Sequence, residues 1–167
     1  NVCYAFDNLY LELLWLRDAG EAQSPAIRPA RLYERATGEA CPFGIAWRGA
    51  SDIDCFDYCP PYLPPGAAIQ VANDAKDLAQ PMMFSFPGTV APTDWPAERR
   101  KELQPAFGAV TRVELVMPEA VAPCPALRAL QNETTLQILT GNEYRCRLHF
   151  ERDARVLDLP GCRLGHN

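Results

Sequence analysis

The chain has 167 residues, 48% of them apolar and 22% charged, with a net charge of −5 at pH 7. These are the proportions of an ordinary globular protein. No run approaches the ~18 apolar residues of a membrane span, and no block of Lys or Arg offers the clustered cations that nucleic acid requires. Neither a membrane nor a nucleic acid is therefore expected as a partner. The seven cysteines are odd in number and irregularly spaced. With no secretory leader pattern, reduced thiols in a cytoplasmic protein are expected.

In chain order, the first pattern is a hairpin. "VCYAF" (2–6) and "LYLELLWL" (9–16) flank Asp7-Asn8, a pair that tolerates the positive φ of a type I′ turn. That turn sets Phe6 opposite Leu9, Tyr4 opposite Leu11 and Cys3 opposite Glu12. One face then carries Val2, Tyr4, Phe6, Leu9, Leu11, Leu13 and Trp15, as a surface covered by helices would. The other carries Asn1, Cys3, Ala5, Tyr10, Glu12 and Leu14, small residues around one acid, like the floor of a cavity. The chain opens on this strand pattern without an initiator Met, and an upstream segment is expected.

"RPARLYERATG" (28–38) predicts a short helix, with Pro29 in its first turn and Gly38 at its stop. In "PFGIAWRG" (42–49), Phe43, Ile45 and Trp47 alternate with Gly44, Ala46 and Arg48. In "GAAIQVAN" (66–73), Ile69 and Val71 alternate with Ala68, Gln70 and Ala72. Three strands thus pair a bulky face with a small, polar one, as a sheet curled around a ligand would. "SDIDCFDYCPPYLPPG" (51–66) reads as a long loop barred from regular structure by its prolines. "PMMFSF" (81–86) is a further strand. A proline-rich linker then holds at most a short helix around Trp95–Leu103.

The last third predicts βαβββ. "TRVELVM" (111–117) is a strand, "CPALRALQN" (124–132) a helix, and "TLQIL", "YRCRLHFE" and "RVLDLP" are three strands. A turn at Arg152-Asp153 brings Arg147 opposite Asp158, with His149 and Arg145 on the same polar face.

"NVCYAFDNLYLELLW", "PFGIAWR", "PPYLPPGAAIQVAN" and the closing βαβββ unit together resemble the glyoxalase-like proteins of the vicinal oxygen chelate superfamily, across nearly the whole chain. The resemblance implies an α+β fold of βαβββ modules whose curved mixed or antiparallel sheets form a cup. It divides the chain into an incomplete N-terminal part (1–86), a linker (87–110) and a C-terminal module (111–167) packed with it as one unit. Members include metal-dependent isomerases and lyases, ring-cleaving dioxygenases, thiol transferases and proteins that sequester antibiotics. The family's metal-ligating carboxylate, late in a module, corresponds to Glu12 in "YLEL". Its usual His partners do not stand in "PFGIAWR" or "TRVELV".

Glu12 is accordingly the candidate catalytic base and ligand of a divalent metal ion; its alternative is a structural carboxylate paired with an Arg. Tyr10, Arg48 and Gln70 are candidate ligand-binding residues of the small face, Arg48 as a bidentate anchor for a carboxylate or phosphate, or as the partner of Glu12. Phe56, Tyr58 and Tyr62 form a lip over the cup, with Tyr58 and Tyr62 as candidate ligand-binding residues. Cys55, Cys59 and the aspartates of that loop lack a matching second pair for zinc. His149 is a further candidate ligand-binding residue, although a lone ring there reads as structural before catalytic, and His166 lies in the tail. The expected function is small-molecule handling, by a metal-dependent reaction or by non-catalytic sequestration. A third reading is an interaction module with a filled cup. Homodimers through sheet edges are plausible.

Overall fold

The computed structural model describes residues 1–161 apart from 39, 50, 87, 104, 105 and 134. Among these residues the strands form three sheets. β1 (Val2–Ala5) and β2 (Tyr10–Leu13) make a two-stranded antiparallel ribbon. After α1 (Ala19–Ala22), a 3-10 turn at Arg28–Ala30 and α2 (Leu32–Thr37), four strands form a mixed sheet: β3 (Gly44–Trp47), β4 (Cys55–Tyr58), β5 (Ile69–Ala72) and β6 (Met82–Ser85). Their order is β3-β6-β5-β4, with β3 parallel to β6. The third sheet holds β7 (Val110–Pro118), β8 (Leu136–Gly141), β9 (Arg145–Phe150) and β10 (Val156–Pro160), ordered β10-β9-β7-β8. α3 (Pro125–Glu133) is the crossover between the parallel neighbours β7 and β8. The chain is α+β with mixed and antiparallel sheets, and its last third follows the expected βαβββ order.

Alternation decides which side of each strand is dry. Leu115 and Met117 of β7, Leu136 of β8, and Ala126, Leu127 and Leu130 of α3 pack into one core with Trp47, Val71, Ala72 and Met83 of the second sheet. A smaller cluster joins Phe6 to Val110, Leu148 and Phe150, with Leu9, Leu11 and Phe107 against it. The three phenyl rings meet at centroid distances of 4.8 to 5.6 Å. They hold the ribbon to the third sheet, since two strands alone are marginal in water. Among the described residues no helix is long and apolar enough to cross a membrane.

The hairpin register is the expected one: Cys3 faces Glu12, Tyr4 faces Leu11, and the Phe6 amide donates to the Leu9 carbonyl at 2.8 Å. The turn is of another type. Neither Asp7 nor Asn8 has positive φ; among the described non-glycine residues only Arg31, Asp153 and Ala154 do. The Asn8 side chain instead pairs with β7 like a short strand, donating to the Val110 carbonyl at 2.8 Å and accepting from the Val110 amide at 2.9 Å. The turn is thus fixed by a tertiary contact.

Two further expectations are corrected. The helix at 28–38 is broken, because Arg31 (φ 55) is left-handed and separates the 3-10 turn from α2. The stretch taken as a long loop contains β4, where Phe56 and Tyr58 supply the β-forming side chains and the prolines begin only at Pro60. The linker, expected to hold at most a short helix around Trp95–Leu103, forms a 3-10 turn there at Arg99–Glu102 and another at Pro92–Asp94. His166 lies outside the described residues.

Arg35 of α2 is the main polar strut. It is 7% exposed, and its guanidinium donates to the carbonyls of Cys41 (3.1 Å), Gln80 (2.7 Å) and Ala75 (2.7 Å). Burial pulls its pKa below the ordinary arginine value. Gln80, also buried, accepts from the Cys124 amide at 3.1 Å, and Asp74 accepts from the Ala126 amide at 2.9 Å. One segment between β5 and β6 thereby anchors both α2 and the start of α3.

Candidate functional site

The small faces expected to share one hollow do not share one. Strand pairing puts Ile45 and Trp47 of β3 on the same side of the sheet as Gln70 and Ala72 of β5, and Gly44 and Ala46 on the side of Ile69 and Val71. The bulky faces of β3 and β5 thus lie on opposite sides, because paired residues share a face and the register sets Trp47 and Gln70 against the same residue of β6, Ser85. The ribbon is a sheet of its own, and its apolar face is covered by strand residues near the turn only. Val2, Tyr4, Leu13 and Trp15 remain 42 to 58% exposed, so no described helix covers them.

The candidate residues consequently fall in four places. Glu12 is half-buried on β2 and accepts a hydrogen bond from the Asn1 side-chain amide. Tyr10, two residues earlier, is on the same face; burial first, and then the Glu12 charge, push its phenol up. Arg48 is exposed and donates to the Asn8 carbonyl at 3.0 Å, so it braces the hairpin turn. Tyr58 is buried and its hydroxyl points to the Ile27 carbonyl at 3.4 Å. Burial raises its phenol strongly, with the Tyr62 hydroxyl adding to the effect. Tyr62 itself is 62% exposed. The lip is therefore half structural: Tyr58 closes the core and Tyr62 stands in solvent.

Gln70 lines a cleft of about 390 Å³ at the carboxyl ends of β3 and β6. Trp47, Ile53, Cys55 and Phe86 supply apolar wall; Ser51, Ser85 and Thr89 supply hydroxyls. The two parallel strands stop together at Trp47 and Ser85, and Gly49 (φ 84) and Gly88 (φ 80) turn the chain away. A side chain at either glycine would be strained by its φ, although the space around it is open. The Gln70 amide NH2 donates to Asp57 Oδ1 at 2.6 Å. An ionised carboxylate only accepts, so this contact fixes the amide orientation and leaves the Gln70 oxygen as an acceptor.

His149 belongs to a cluster that the sequence did not reveal. On the outward face of the third sheet, Glu114 of β7 is 8% exposed and is covered by its own partners. Its carboxylate meets Arg112 Nη2 at 3.0 Å, Arg147 Nη1 at 3.3 Å and His149 Nε2 at 3.0 Å. Burial alone would raise the Glu114 carboxyl. Hydrogen bonds from His149 and Arg147, with the charges around them, outweigh that and hold it below the ordinary range. The expected pair Arg147–Asp158 is present at 3.5 Å, and Arg145 adds a second contact to Asp158 at 2.9 Å. The missed partner was Glu114, because β7 and β9 are not consecutive strands and their register is not readable from the chain.

No three His, Cys, Asp or Glu side chains converge among the described residues in a way that could hold a metal ion. The donors around Glu12 do not fit a catalytic metal, which takes about three protein ligands. No family model, curated protein or solved structure matches this chain.

Proposed function

We propose that this chain is a small-molecule-handling protein of the glyoxalase-like kind that works by binding, with the β3/β6 cleft as its ligand site. The carrying observation is the cleft itself: its 390 Å³ is lined by Trp47 and Phe86 beside Gln70, whose amide NH2 is engaged by Asp57 and whose oxygen is left as an acceptor. Small-molecule sites are concave and mainly apolar, with few convergent polar groups. Such a lining suits a flat, largely apolar molecule bearing one hydrogen-bond donor. The β7–α3–β8–β9–β10 order supports the glyoxalase-like part of the reading. The sparse metal-donor set favours sequestration over a metal-dependent reaction.

The test is a panel of aromatic phenols and amides, titrated against intrinsic tryptophan fluorescence and against thermal unfolding. A binder at a hundredfold excess over its Kd adds about 2.7 kcal/mol, raising the Tm of a chain this size by roughly 5–10 °C. Ser51→Trp, which fills the cleft from its rim, removes that response. A panel that yields no saturable binding, or binding unaffected by Ser51→Trp, sinks the proposal.

A further inference from the structure

One row of paired residues crosses the second sheet beneath the cleft. Trp47 of β3 stands opposite Ser85 of β6, Ser85 opposite Gln70 of β5, and Gln70 opposite Asp57 of β4. Paired residues share a face, so all four side chains project to one side, spaced by the strand separation of about 5 Å. Trp47, Ser85 and Gln70 line the cleft, and Asp57 ends the row on the edge strand.

The polar groups of this row differ in what they already hold. The Gln70 NH2 donates to Asp57 Oδ1 at 2.6 Å, toward β4. A planar amide carries its oxygen away from its NH2, so the Gln70 oxygen is turned to the Ser85 side and remains an acceptor. Ser85 is 8% exposed, and among the described residues its hydroxyl has no hydrogen-bond partner. Protein covers the rest of that residue, so the cleft is the side from which a partner can reach it. Buried hydroxyls are ordinarily bonded, which sets Ser85 apart. Thr89, by contrast, spends its donor on the Phe86 carbonyl at 3.0 Å. One oriented acceptor and one unused hydroxyl therefore stand side by side, with the Trp47 ring next in the row.

We infer that the ligand of this cleft carries the edge of a lactam, an N–H beside a C=O in a flat ring. The inference rests on the reading of the cleft as a ligand site and names the class it takes. The ligand N–H donates to the Gln70 oxygen, its carbonyl accepts from Ser85 Oγ, and its ring lies against Trp47. Two adjacent bonds of opposite sense fix the direction of the ligand as well as its place. Asp57 does not line the cleft; it is a positioning residue that keeps Gln70 an acceptor.

The full chain is titrated by calorimetry with oxindole, which bears this edge, with N-methyloxindole, which lacks the N–H, and with indole, which lacks the carbonyl. Oxindole should bind about tenfold more tightly than either, the worth of one hydrogen bond. Ser85→Ala should weaken oxindole about tenfold and leave indole unchanged. Asp57→Asn, at an exposed position, lets the Gln70 amide turn over, so oxindole and N-methyloxindole should then bind about equally. A general loss of structure would weaken all three alike, a steric clash of the methyl group would persist in Asp57→Asn, and thermal melts verify that both variants fold. Equal affinities in the wild type, or a preference unchanged in both variants, overturn the inference and leave the cleft as a binding site. No saturable binding of any of the three removes the cleft reading and the inference together.

Discussion

Glu114 and His149 stand on neighbouring strands with Oε1 and Nε2 3.0 Å apart, and the carboxylate is almost wholly covered by the cations that neutralise it. Glu114→Gln keeps the shape and removes the charge. Its partners are partly exposed, so solvent screens the pairs, and the loss is about 1–2 kcal/mol in urea unfolding at pH 7.

The same carboxylate sets a pH dependence. Its folded pKa lies below the ordinary 4.5, so its contribution is complete above that value and is lost as pH falls through the depressed one. Wild-type stability should therefore drop more steeply than that of Glu114→Gln once pH passes below 4.5. Parallel curves for the two chains in acid would remove Glu114 from the account.

Arg35 is buried and spends its donors on three main-chain carbonyls. Arg35→Met leaves those acceptors unpaired and should cost about 3 kcal/mol by equilibrium unfolding. Arg35→Lys recovers only part, since an ammonium cannot reproduce the planar fork.

Phe6 ties the ribbon to the third sheet through Phe107 and Phe150. Phe6→Ala should release β1 and β2 locally, at a cost of about 3 kcal/mol. Hydrogen exchange at the Tyr4 and Leu11 amides would then quicken, while that of β7 at Leu115 changes little. Uniform quickening across both would mean that the ribbon is not a separable unit.

Glu12 accepts from the Asn1 side chain, and among the described residues it has no convergent set of metal donors around it. Glu12→Gln should change stability by less than about 0.5 kcal/mol. Elemental analysis should find no stoichiometric metal in either form. Bound metal lost on this substitution would restore the catalytic reading.

The sequence by itself determined what depends on neighbours along the chain. The two-residue connection Asp7-Asn8 sets Cys3 against Glu12, although a tertiary contact to Val110 holds its conformation, and the turn after Glu151 sets Arg147 against Asp158; both registers are as read. The βαβββ order was legible because each element carries its own period and its own stops. Tertiary structure decided which faces look at one another. The registers on β6 set Trp47 of β3 and Gln70 of β5 against the same residue, Ser85, which puts the bulky sides of β3 and β5 on opposite surfaces, and no local pattern encodes that register. It also brought Glu114 to His149 across strands separated by α3 and β8, since pairing between distant strands is set by packing of the whole sheet.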